Sequence, residues 1–303
     1  MSSERTPAAG GQYPSPQDVY DALDRAGHLL EQQVATQLEG LGYVVTTGRA
    51  YTDADEGKSR ELDVLAYKQL VRDEGQRLLA AIHLIVECKN TAAPLAFLTR
   101  PVRDLQKPEE VLFTRHSVED RFDKDGSTYV THKRTFDVLG LRELYWGTSD
   151  PVKAVHVSRL DRKGGEWNAS NTGVFDSLTW PMAKALRAFK KPWHNRNGGF
   201  DAARDWSYVQ FFIPIVVVAS KLYVADGTES DPHVQEAHHV RFRRELKAKD
   251  FTGTFEIDFV QRDGLVDFVS DTVDAFGTEL TRIVQANPDA VIPQDKWAMA
   301  DIW

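Results

Sequence analysis

Nine apolar residues follow one another from Phe211 to Ala219 (FFIPIVVVA), and no longer apolar run occurs in the chain. Aromatic and β-branched side chains dominate it, which suits a strand better than a helix. It falls far short of the ~20 residues that a helix needs to cross a bilayer, so no membrane partner is expected. With its flanks (YVQFFIPIVVVASKLYVA) it reads as the most deeply buried strand region. The chain is therefore expected to organise around a central sheet.

What surrounds that strand sets the fold class. Leu23, Leu29, Leu30, Val34, Leu38 and Leu41 recur at helical spacing, which predicts one amphipathic helix from Pro16 with Gly40 and Gly42 as stop signals. YVVTT (43–47), ELDVLAYK (61–68) and RLLAAIHLIVECKN (77–90) read as strands, with Gly75 as the turn between the last two. Residues 91–150 are polar and Pro-interrupted and are expected to form short helices and loops. Then come a strand in VKAVHVSRL, a basic helix in PMAKALRAFKK, the buried strand, a strand in FEIDFVQ and a final helix from Leu265. The expected class is mixed α/β, a central sheet flanked by helices. We expect a disordered tail over 1–15 and a single domain over 16–303, with a long insertion around 91–150.

Composition narrows the setting. The hydrophobic share of 42% and charged share of 27% are those of a globular protein and exclude a mostly disordered chain or a rod. One cysteine, Cys88, excludes an internal disulfide. The N-terminus has no apolar signal core, so the expected compartment is the cytoplasm. The net charge of −8 disfavours a uniformly basic nucleic-acid binder but permits a local basic patch.

The chemistry concentrates between Glu31 and Lys89. If the hairpin turns about Gly75, antiparallel partners have numbers summing to 150, and Asp63 faces Glu87. Glu87 and Lys89 share a face, while Cys88 points to the other with Ile82, Leu84, Val86, Leu62 and Val64 as core. Two carboxylates held so close repel unless a cation lies between them. A divalent ion with oxygen ligands is the natural resolution, and Lys89 could orient a water or offset charge in a transition state.

Together, the helix acid Glu31, the Glu61-Leu62-Asp63-Val64 strand and Ile85-Val86-Glu87-Cys88-Lys89 resemble the PD-(D/E)xK, or restriction-endonuclease-like, nuclease superfamily. The chain has Leu62 where the name-giving motif has Pro. The resemblance implies a core of helix, three strands, helix and strand, and a metal-dependent endonuclease that hydrolyses phosphodiester bonds. It implies that Asp63 and Glu87, with the Cys88 carbonyl, hold Mg²⁺ or Mn²⁺. Lys89 would act on the attacking water, and Glu31 would support a second metal or position the first. Nucleic acid is the implied partner, DNA favoured over RNA, in a setting of prokaryotic defence or repair. Cutting both strands would call for a homodimer, and residues 91–150 are long enough to house a surface for an activating partner. The alternative is an inactive module of the same fold that binds nucleic acid or protein.

Other residues carry weaker expectations. Asp53 and Asp55 are expected in a solvated loop, and Asn90 either caps the strand or touches substrate. His28 lies one turn before Glu31, and Glu39 is a lesser candidate for the helix acid. His233, His238 and His239 do not form a zinc motif. Cys88 reads as a small core residue. Two basic stretches are candidates for phosphate contact: Lys184, Arg187, Lys190, Lys191 and Arg196 with Trp193, and Arg241, Arg243, Arg244, Lys247 and Lys249.

Overall fold

The computed structural model describes residues 13–53, 56–102, 108–114, 118–194, 206–231, 233–248 and 251–292. Residues 1–12 of the expected tail, together with Asp55, Arg196 and Lys249, lie outside these. The chain opens with two helices rather than one, α1 (Pro16–Ala26) and α2 (His28–Gly40). Ser15 caps α1 by accepting from the Asp18 amide, Asp18 reciprocates, and Pro16 occupies the first turn. Gly27, at φ +90°, then breaks the helical run in the left-handed conformation. The apolar periodicity continues across the break, so the spacing alone did not reveal it.

The strands and helices that follow are β1 (Val44–Thr52), β2 (Ser59–Asp73), β3 (Leu78–Lys89), β4 (Leu95–Pro101), β5 (Leu112–Thr114), β6 (Val118–Lys124), β7 (Ser127–Lys133), α3 (Thr135–Val138) and α4 (Trp146–Ser149). Next are β8 (Val152–Lys163), β9 (Glu166–Ser170), α5 (Trp180–His194), β10 (Ser207–Val218), β11 (Leu222–Asp226), β12 (Val234–Ala237), β13 (His239–Lys247) and β14 (Thr252–Gln261). The chain ends in α6 (Leu265–Phe268) and α7 (Ala275–Ala286), joined by a π-helical segment over Val269–Asp274. That segment interrupts the expected continuous final helix. It delivers Asp274 to Tyr43 Oη and Lys68 Nζ, each 2.8 Å away, which ties the C-terminal helix to β1 and β2.

Twelve of the strands form one mixed sheet, ordered β1-β2-β3-β10-β14-β13-β8-β4-β11-β12, with β5 on β10 and β9 on β8. β6 and β7 form a separate hairpin. The stretch 91–150 is thus partly woven into the sheet: β4 pairs with β8 and β11, and β5 with β10. Short helices and loops are the sequence expectation for this stretch, but the short apolar runs LAFL and LF within it are long enough to pair with neighbouring strands.

β10 lies parallel to β3 from Ser207↔Leu78 to Val218↔Lys89, and parallel to β14 over its last residues. Both faces of this centre are covered. Ile213, Ile215 and Val217 meet Val64, Leu84 and Val86 with helix residues such as Leu30, Val34, Leu38, Phe276 and Leu280. Phe212 and Val216 meet Ile85 with Met182 and Leu186 of α5 on the opposite face. Each fully buried Leu, Val, Ile or Phe contributes roughly 1.5–3 kcal/mol relative to exposure. Leu62 belongs with Ile85 to the α5 side, not with Val64 as expected, because β2 parts from β3 beyond Val64. Among the described residues no helix is long and apolar enough to cross a membrane.

Candidate active site

The site lies where the β2–β3 hairpin opens. Near its turn the strands pair as Asp73↔Leu78, with partner numbers summing to 151 rather than 150. An irregularity at Leu70, between Gln69 and Val71, takes up one residue of β2. From Gln69↔Ala81 to Val64↔Val86 the sum is 150, the expected register. Val64↔Val86 is the last pair of the ladder. Beyond it the Cys88 amide donates to Asp63 Oδ2 at 2.6 Å. The carboxylate side chain thus stands in for a backbone acceptor where the two strands separate.

Four of the expected residues converge there. Lys89 Nζ donates to Glu87 Oε1 at 2.6 Å. Glu31, on the first turn of α2, lies 3.6 Å from His28 Nδ1 and close enough to Asp63 for the two charges to interact. Glu87 feels both Asp63 and Glu31. Among the described residues no donor reaches the second oxygen of Asp63 or of Glu87, so each keeps one oxygen for a ligand. The side chain of Glu87 is 12% exposed, Glu31 24% and Lys89 28%, so the cluster is recessed but open.

The three acids are strained as anions. Burial raises the pKa of Glu31, and the Asp63 charge raises it further. Burial raises Asp63 as well, against the lowering effect of the Cys88 amide and Lys89. Burial and then Asp63 raise Glu87 more than Lys89 can lower it. Such a set lacks positive charge and presents hard oxygen donors, which suits Mg²⁺ or Mn²⁺. Among the described residues no three His, Cys, Asp or Glu side chains are already gathered as a metal shell. The Cys88 thiol is buried, and its pKa is pushed up by burial and then by Asp63, so it is a packing group and no nucleophile.

Sequence reasoning missed one acid. Glu61 adds to the negative potential at both Asp63 and Glu31. It lies two residues before Asp63 on β2, where Leu62 and Val64 pack on opposite sides of the sheet and simple alternation does not hold. Gly48 falls between the pairs Thr47↔Val64 and Arg49↔Leu62, opposite Asp63. It has φ +63°, and a Cβ there would lie 2.8 Å from Glu61 Oε1. Asn90 donates to the Asp24 carbonyl at the end of α1, holding the α1–α2 corner beside the site. Glu39 is exposed at the far end of α2.

Other candidates have different surroundings. Asp53 is 1% exposed rather than solvated, because Lys184 Nζ at 2.8 Å and Arg60 Nε at 3.4 Å draw it inward. Lys184 also approaches Glu56 at 3.6 Å. Arg187 pairs with Glu109 at 2.9 Å, and buried Lys190 donates to the Glu110 carbonyl and lies 3.5 Å from Glu109. Among the described residues the α5 cations Lys184, Arg187 and Lys190 thus each meet a carboxylate within the fold. The side chain of Lys191 lies outside the described residues, as does that of Trp193. In the second stretch, Arg241 and Arg243 turn inward to Glu256, at 2.9 and 3.2 Å. Arg241 also meets Asp258 at 2.7 Å, and His239 joins Asp258 at 2.8 Å.

No family model, no curated protein and no solved structure matches this chain.

Proposed function

We propose that the chain is a metal-dependent nuclease that hydrolyses phosphodiester bonds, with DNA favoured over RNA. One observation carries the reading: at the open end of the hairpin Glu87 holds Lys89 at 2.6 Å, and Asp63 and Glu31 lie near enough to Glu87 to add to its burial in raising its pKa. The element order α2, β1, β2, β3, α5 and then β10 parallel to β3 also follows the core that the restriction-endonuclease-like resemblance implies.

Asp63 and Glu87 would hold a divalent ion through the oxygens that carry no donor, with the Cys88 carbonyl beside them. The ion when bound lowers the pKa of water and offsets charge on phosphate. Asp63 is positioned for this by the Cys88 amide, which fixes one oxygen and presents the other. Lys89, held by Glu87 at 2.6 Å, would orient the attacking water and offset the charge developing on phosphate. Glu31 adds a third carboxylate from α2, whose repulsion from Asp63 and Glu87 a bound cation would relieve.

The second reading is a module of this fold that binds nucleic acid or a protein partner without cutting. It is favoured by the absence, among the described residues, of three acids already gathered at metal spacing. Incubating the protein with supercoiled plasmid, linear duplex, single-stranded DNA and RNA, with Mg²⁺, Mn²⁺ or EDTA, decides between them. Cutting that needs metal and disappears in Lys89→Ala supports the nuclease. No cutting and no stabilisation by metal supports the module.

A further inference from the structure

A pocket of about 380 Å³ opens beside β1 and β2, lined by Tyr51, Glu56, Arg60, Trp180, Pro181 and Lys184. Tyr51 pairs with Arg60 across the two strands, three residues along β2 from Asp63. At about 3.3 Å per strand residue this is roughly 10 Å from the acid cluster. Tyr51 packs against the cluster of Ile85, Met182 and Leu186 on the α5 side of the sheet, the side that Glu87, two residues after Ile85 on β3, shares by strand alternation.

The lining defines the ligand. Trp180 and Tyr51 supply flat apolar faces. Arg60 and Lys184 supply donors, but each is already matched by Asp53 and Glu56, at 3.4 and 2.9 Å for Arg60 and 2.8 and 3.6 Å for Lys184. A phosphate would have to displace those carboxylates. An aliphatic ligand would leave ion pairs dehydrated without replacing their hydrogen bonds. A planar neutral ring with donors and acceptors on its edge satisfies both parts of the wall.

We infer that this pocket receives a nucleobase, stacked on Trp180 and read along its edge by Arg60 and Glu56. The volume lies in the range of small-ligand sites. Aromatic stacking of this kind is what holds single-stranded or extruded bases elsewhere. The inference rests on the nuclease reading for its expected source, a base in the strand that crosses the acid cluster. A free nucleotide would present the same chemistry.

The test uses the full chain carrying Asp63→Asn, so that no strand is cut. A fluorescent single-stranded oligonucleotide is titrated in Mg²⁺, with one abasic site moved along it. One position should bind about tenfold more weakly when abasic, an expectation from stacking. Trp180→Leu should lose that position dependence and Trp180→Phe recover most of it. Arg60→Gln, which leaves the aromatic packing alone, should weaken binding severalfold at the same position. Mononucleotides are added as competitors: competition assigns the pocket to a free nucleotide, and none assigns it to a base in a strand. Equal affinity at every abasic position without mononucleotide competition, unchanged position dependence in Trp180→Leu, or no binding of either probe overturns the inference. Failure of wild type to cut or to be stabilised by metal, with position-dependent binding intact, removes the nuclease reading alone.

Discussion

The Cys88 amide donates to the Asp63 carboxylate at 2.6 Å, at the point where the β2–β3 ladder has ended. A backbone donor that would otherwise face a neighbouring strand is satisfied by an acid side chain. The bond fixes Asp63 against Glu87 despite their mutual repulsion. One short contact therefore both closes the hairpin and orients the acid.

Divalent metal should stabilise the protein through this pair. Binding to the folded state alone adds about 2.7 kcal/mol when the ion exceeds its Kd a hundredfold. Millimolar Mg²⁺ should raise the Tm of wild type by a few degrees, and Asp63→Asn should show no rise. Equal rises in both proteins would place the ion elsewhere.

The stabilisation should depend on pH with a definite sign. Glu31, Asp63 and Glu87 have folded pKa values raised by burial and then, for the two glutamates, by Asp63. Their contribution to stability is present below the unfolded carboxylate pKa and lost as pH rises through the raised folded values. Metal needs the deprotonated forms. The gap between melting curves in Mg²⁺ and EDTA should therefore widen from acid toward neutral pH. Glu87→Gln should flatten it. A gap independent of pH contradicts the carboxylate assignment.

Lys89 should matter to the reaction more than to the ion. Lys89→Ala should slow cleavage about 10²–10³-fold, the usual loss when one donor to a developing oxyanion is removed. It should keep the Mg²⁺ rise in Tm, since Glu87 is then freed. Loss of both would make Lys89 a residue that holds Glu87 in place.

Arg241 should act on stability. It is buried between Glu256 at 2.9 Å and Asp258 at 2.7 Å, with Tyr145 Oη accepting from it at 2.9 Å. Burial alone would raise Asp258, but Arg241 and His239 outweigh it and hold the carboxyl below its ordinary value. Arg241→Ala leaves two buried acids without their shared cation and should cost about 3–5 kcal/mol. Equilibrium denaturation in urea measures it. A loss below 1 kcal/mol, taken as roughly the worth of an exposed pair, would mean that the network is not held by this residue.

Much of the site was legible because the strands have a period of two. That period puts Glu87 and Lys89 on one face, with Asp63 expected opposite Glu87. The turn pairs one residue out of step, and the irregularity at Leu70 restores the expected register as far as Val64↔Val86, where the ladder ends one pair short of Asp63 and Glu87. Glu61 was overlooked. The break at Gly27 was not legible from the apolar spacing, which runs through it. Within 91–150, β4 was overlooked although Leu95 and Phe97 alternate into the core, because its run is short and Pro-bounded, and β5 spans only three residues.

The sequence by itself determined the apolar centre of the sheet, helical structure from Pro16 onward and the acids near Lys89 in the chain. Those features rest on local periodicity and on residue chemistry, which neighbours along the chain express. Only the tertiary structure decided what each charge meets. Lys184 reaches Asp53 across 131 positions and Arg187 reaches Glu109 across 78. A run of cations reads the same whether it faces water or buried carboxylates, because long-range pairing leaves no local pattern. On the basic helix, the described cations Lys184, Arg187 and Lys190 each find a carboxylate that no local pattern announced.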